Sequence, residues 1–251
     1  MWKQLLSVFS DCGLCQEAFD EALLMLRVSY GMHRDSVAAL HGEGILVADI
    51  YERDREINKY ERSVRRKILT HLAISPKADL NSGLVITAIV IDIERIGDYT
   101  KNIIELAAGL PGTFDGGELN EEFLDLERLV DKMFNDLQPA LVDSDEALAR
   151  GILRNHKSVS GRVERGLQLL RSDQVLKGQS GKAVTAALYL RYLKRVSAHL
   201  KNVATSVVNP FHRIGYREKK NGDRRLPTAE NLETAEVMDE LEELEGDESR
   251  D

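Results

Sequence analysis

Apolar residues recur at three- and four-residue steps along most of the chain, the spacing of one face of an amphipathic helix. The first segment, Trp2 to Leu40, carries Leu5, Phe9, Phe19, Leu23, Leu24, Leu26 and Val28 in this pattern. His41-Gly42-Glu43-Gly44 then predicts a turn, since each glycine costs a helix about 1 kcal/mol. A second segment spans Ile45 to Ile74, with Ile57, Tyr60, Val64, Ile68 and Leu72 as its apolar stripe and Arg and Lys on the other faces. Ser75-Pro76 closes it, because the residue before proline disfavours helix. The third segment, Asp79 to Leu110, ends at Pro111-Gly112.

After the loop from Pro111 to Gly117, three more segments follow: Glu118 to Leu141, Ser144 to Leu170 behind the capping-type Asp143-Ser144-Asp145, and Gly181 to Val208 before Asn209-Pro210. The third and sixth segments align without gaps at an offset of 100. Arg95, Lys101 and Asn102 recur as Arg195, Lys201 and Asn202, while Ile96, Gly97 and Ile103 face Val196, Ser197 and Val203. The pattern predicts an internal repeat in an all-α protein: two tandem three-helix bundles, followed by a flexible acidic C-terminal tail. The expected units are residues 1–110, residues 118–210, and a basic linker with its tail over residues 211–251.

Composition agrees with helices. The 251 residues include only 5 prolines and 6 % aromatic side chains, too few for the turns and ring-rich strands of a sandwich or barrel. No apolar run approaches the roughly 20 residues of a membrane span, and the start lacks the pattern of an export signal, so a cytoplasmic protein is expected. The formal net charge of −8 argues against a nucleic-acid-coating protein. That charge is localised, however. Residues 226–251 hold 11 acids against one base, leaving 33 bases against 31 acids in the remainder. The acidity therefore belongs to the tail, and the helical body is nearly neutral.

The informative charges lie in the third segment. The run from Leu84 to Ile91 is apolar almost all round and should be buried, yet Glu94 and Asp98 follow it one turn apart on one face, with Asn102 continuing the row. Like charges at this spacing repel by a few tenths of a kcal/mol when exposed, and by more when desolvated. The second segment offers Asp54 and Asn58 in a comparable row, with Glu61 beside it. Two such helices packed together could converge on one cation that favours oxygen ligands. The competing reading pairs Glu94 with Arg95 or a basic neighbour, and Asp98 with Lys101 or Asn102.

The run Asp92-Ile93-Glu94-Arg95-Ile96-Gly97-Asp98-Tyr99-Thr100-Lys101-Asn102-Ile103 resembles the signature of the PhoU phosphate-uptake regulators. The stretch Asp54-Arg55-Glu56-Ile57-Asn58-Lys59-Tyr60-Glu61, with Ile68-Leu69-Thr70-His71-Leu72-Ala73, resembles that family's preceding helix. The resemblance implies tandem three-helix bundles and a metal held by carboxylate pairs on the second and third helices of each half. Carried over, the ligands are Glu94, Asp98, Asp54 and Asn58, where Asn58 replaces an expected acid. Iron or zinc is the implied metal, with manganese or magnesium as alternatives. The second half departs from the pattern: Lys194 and Ala198 stand at the acidic positions, and the helix-two counterparts fall near His156 and Ser160. At most one metal site, in the first half, is therefore expected.

The same resemblance implies a non-catalytic negative regulator of phosphate uptake. Its expected partners are the ATPase or membrane subunits of a phosphate transporter and a membrane sensor histidine kinase. Homodimers and peripheral membrane association through those partners are implied too, without nucleic acid. The alternatives are a metal-dependent carboxylate enzyme using the same residues, and a metal-free helical adaptor whose acidic row is salt-bridged.

Other constellations point to little chemistry. Cys12-Gly13-Leu14-Cys15 has redox spacing but no preceding strand, which favours simple packing. No histidine has Glu three residues before it, which counts against a di-iron oxidase. No glycine-rich loop leads into Gly-Lys-Ser/Thr, so nucleotide hydrolysis is unsupported. The basic run from Arg213 to Arg225 reads as a solvated linker that could also touch an anionic surface.

Overall fold

The computed structural model describes residues 2, 3, 6, 13–43, 47–74 and 80–218, and every regular element among them is helical. Six long helices run in order: α1 (Gly13–Leu40), α2 (Val47–Ile74), α3 (Leu80–Ala108), α4 (Asn120–Val142), α5 (Glu146–Arg171) and α6 (Ser180–Val208). Short 3-10 turns at Gly117–Leu119 and Phe211–Arg213 flank α4 and α6. Gly44, Cys12, Ser75-Pro76, the basic run beyond Glu218 and the acidic tail lie outside the described residues.

Local signals set the helix ends. Gly42 takes φ +86° and the Glu43 amide reaches back to the Ala38 carbonyl at 2.9 Å, closing α1 with a left-handed cap. A side chain at Gly42 would collide with Thr113, and the Phe114 amide donates to the Leu40 carbonyl at 2.8 Å. The loop after α3 is thereby fastened to the end of α1. At the start of α5, Asp145, the last of the three expected capping residues, accepts from the Ala147 and Leu148 amides, and the helix begins at Glu146, two residues after the expected start at Ser144.

Most of the predicted apolar positions face inward, but Leu24 and Leu84 are exposed, and Leu5 and Phe9 lie outside the described residues. Ile57, Val64 and Ile68 of α2 are buried, as are Val85, Ile86, Ile89, Val90, Ile93 and Ile96 of α3. Helices α1, α2 and α3 pack against one another, as do α4, α5 and α6, and α3 lies against α6. Contact on three neighbours explains why α3 is apolar nearly all round. Where α3 meets α2, a Cβ at Gly97 would lie 2.8 Å from Ile57 Cδ1, so the absent side chain lets the helices approach. At the other end of the chain, the Trp2 indole N–H donates to the Leu141 carbonyl at 2.7 Å and tethers the N-terminus to α4.

The α3–α6 contact carries the repeat. Asp92 accepts from His199 Nδ1 at 2.7 Å and from Asn202 Nδ2 at 3.0 Å, while Tyr99 lies 6.4 Å from Tyr192, ring centre to ring centre. Shifting each residue by the repeat offset exchanges these pairs: Asp92 becomes Tyr192, and His199 becomes Tyr99. The two helices therefore cross antiparallel about a local pseudo-twofold axis, and each half presents the same helix to the other.

Candidate functional site

Helices α2 and α3 bring the predicted residues to one junction. Asp54 faces α3, and Asp98 lies across from it. Between them sits the Lys101 ammonium. It donates to Asp98 Oδ1 at 2.9 Å and to both carboxylate oxygens of Asp54 at 3.2 Å. The Asp54 side chain is 14 % exposed, Lys101 22 % and Asp98 45 %, so one end of the bridge is inside the bundle and the other meets water. Burial works against the Lys101 charge, but the bonds to Asp98 and Asp54 outweigh it and raise its pKa above the usual lysine value.

The remaining members occupy adjacent turns. Asn58 donates its amide to the Asp54 backbone carbonyl at 3.0 Å, within its own helix. Glu61 is engaged by Arg65 at 2.7 Å. Glu94 is pushed up to about 7, first by burial and then by the negative charges of Asp98, Glu61 and Asp54. Arg95, Asp98, Tyr99, Lys101 and Asn102 line an open recess of about 440 Å³ on the solvent side.

The donor set does not fit a divalent or trivalent metal as it stands. Its two facing carboxylates already share an ammonium, and Asn58 is turned to its own backbone. No group of three or more His, Cys, Asp or Glu side chains among the described residues is arranged to hold a metal ion. The pairing of Asp98 with Lys101, one of the two readings open from the sequence, is the one observed. Sequence reasoning missed two things. Lys101 also reaches Asp54, 47 positions away, and Asp92 joins the halves through His199, 107 positions away.

The corresponding surface of the second half has lost its acids. Lys194 pairs with Glu164 at 2.5 Å. Ser197, the counterpart of Gly97, meets His156 Nδ1 at 3.0 Å where Gly97 meets Ile57. Burial lowers the His156 pKa to about 4, with Lys201 and Lys194 adding repulsion. Ala198 offers no donor and Ser160 is half-buried on α5. Lys201 donates to the Gly215 carbonyl at 2.5 Å, holding the segment after α6. Cys15 is buried on α1.

Comparison with known proteins places this geometry. Residues 22–107 match the PhoU domain, which spans most of α1 and nearly all of α3 and so includes the whole junction. The phosphate-specific transport system accessory protein PhoU homolog of Pseudomonas putida is 27 % identical over 181 residues, covering 69 % of this chain and 70 % of that protein. The homolog from Deinococcus radiodurans is 28 % identical over 182 residues, covering 67 % of this chain and 80 % of its own length. The crystal structure of PhoU from Pseudomonas aeruginosa superimposes with a TM-score of 0.69 at 25 % identity, over 78 % of this chain and 96 % of that one. The PhoU structure from Streptococcus pneumoniae, at 18 % identity and a TM-score of 0.62, shares the fold. These relatives are named accessory and regulatory proteins, not enzymes. Residues 22–107 thus match the PhoU domain, and the six-helix body is similar in fold to the PhoU crystal structures.

Proposed function

We propose that this chain is a non-catalytic accessory regulator of phosphate transport that acts by docking its helical faces onto other proteins. The carrying observation is that the likeness to PhoU extends over both bundles: 78 % of this chain superimposes on 96 % of the Pseudomonas aeruginosa protein. The partners in this reading are the ATPase or membrane subunits of a phosphate transporter and a membrane sensor histidine kinase, with a homodimer as the working form. No described helix is long and apolar enough to cross a membrane, and peripheral membrane association through those partners is part of the same reading.

Within this reading the acidic row is an element of structure. The enzyme alternative needs Glu94, Asp98 and Asp54 open to substrate or metal, whereas Asp54 and Asp98 are tied to Lys101. The salt-bridged adaptor is favoured by that contact. Exposed apolar side chains suit docking: Leu69 and Ile74 near the end of α2, Leu80 at the start of α3, and Val184 and Leu188 on α6.

Affinity capture of the full chain from its own cells, grown at high and at low phosphate, tests the proposal. Recovery of a transporter ATPase or a sensor kinase in one condition, with derepressed uptake on deletion, is expected. Unchanged phosphate uptake and signalling on deletion would overturn it.

A further inference from the structure

We propose that the Lys101 ammonium is the built-in cation of the α2–α3 carboxylate cluster, standing where the likeness to PhoU leads one to expect a metal ion. The inference is independent of which partner the protein contacts.

Geometry carries the argument. An ammonium has three N–H donors, and the Lys101 group has three carboxylate oxygens within hydrogen-bond distance: one from Asp98 and two from Asp54. It therefore joins α2 to α3 as a bridging ion would, with the cation supplied by the chain and positioned from one turn beyond Asp98. The charges are compensated in part: Lys101 offsets one of the two carboxylates it bridges, Arg65 pairs with Glu61, Asn58 contributes none, and Glu94 stands beside the remaining negative charge. A divalent ion entering between Asp54 and Asp98 would have to displace the Lys101 ammonium from both carboxylates. The repeat shows what a lysine at this position does without the acids. Lys201, beside Lys194 and Ala198, turns instead to the Gly215 carbonyl.

The test measures metal binding and thermal unfolding of the full-length chain, wild type and Lys101→Met, with Mn²⁺, Zn²⁺ or Fe²⁺ added singly. Wild type should retain no stoichiometric metal after desalting, and its Tm should be unmoved by EDTA or by any of the three ions. Lys101→Met should lower Tm without metal, bind about one ion per chain through the freed carboxylates, and regain Tm when the ion is added. A further Asp98→Asn change should abolish that binding. Stoichiometric metal on wild type that is lost in Asp98→Asn would overturn the inference, as would a folded Lys101→Met chain that binds none of the ions. Should Lys101→Met not fold, the wild-type EDTA and metal titrations decide alone, since a resident metal would make Tm fall with EDTA.

Discussion

Lys101 and Lys201 occupy the same position in the two halves and do different work. Lys101 is clasped between Asp54 and Asp98 and joins two helices of its own bundle, whereas Lys201 donates to the Gly215 backbone carbonyl and fastens the chain leaving α6. Burial lowers both pKa values, yet their net shifts are opposite. Lys101 is raised because its two carboxylate bonds outweigh burial, and Lys201 is lowered because burial outweighs the single nearby charge of Asp92. The repeat thus preserved the helix and its packing while the local partners were exchanged. What a residue does here follows from the neighbours that the bundle brings to it, and its place in a motif says less.

The strongest break in this comparison is at the seam between the halves. Asp92 serves two donors from α6, and its pseudo-equivalent is the ring contact of Tyr192 with Tyr99. Asp92→Ala leaves the His199 and Asn202 donors without an acceptor in a mostly buried place, a cost of about 3 kcal/mol in urea unfolding. Tyr192→Phe, which keeps the ring, should cost well under about 1 kcal/mol.

Acid sharpens the comparison next. His33 in α1 is buried beneath Phe134 with Nδ1 unbonded, and burial lowers its pKa to about 4 despite the charges of Glu127 and Asp131. Its unfolded pKa is about 6.5, so between these values the unfolded chain holds the extra proton. The stability due to neutral His33 is present above pH 6.5 and is lost as pH falls toward 4, by up to about 3 kcal/mol. His156 in the second half is lowered in the same direction and adds to the loss. Denaturation at a series of pH values should show this slope, and His33→Gln should flatten it.

The helix crossings give a smaller contrast. Gly97→Val forces atoms into the space of Ile57 and should cost about 2 kcal/mol by thermal unfolding. At the matching place, Ser197→Ala only removes a hydroxyl shared with His156, a loss of about 1 kcal/mol. Smallest is the lysine pair. Lys101→Met should destabilise by about 1 kcal/mol, and more at low salt, because two carboxylates are left facing each other. Lys201→Met should cost less and respond little to salt, because it loses one bond to a neutral carbonyl.

Much of the fold is legible in the sequence because helical period and helix ends are local. The stripe Ile57, Val64, Ile68 and the cap at Gly42 follow from spacing and from glycine's access to positive φ. The offset of 100 relates α3 to α6, but that the two helices pack together, with Asp92·His199 and Tyr99·Tyr192 exchanged by the offset, is seen only in the structure. The candidate site is legible only in part. Glu94 and Asp98 stand out because charge follows an apolar run, but nothing local tells Lys101 to reach Asp54 on another helix. The same holds for His156, whose contact with Ser197 depends on the register of α5 against α6. Long-range pairs are set by packing, and one sequence does not display them.

Crystals of the full-length wild type soaked in Zn²⁺ or Mn²⁺, with anomalous data collected at the metal edge, test the central claim most directly. The account predicts Lys101 Nζ between Asp54 and Asp98 with no anomalous peak at the α2–α3 junction. A metal ion bound by Glu94, Asp98 and Asp54, with Lys101 turned out to solvent, would contradict it.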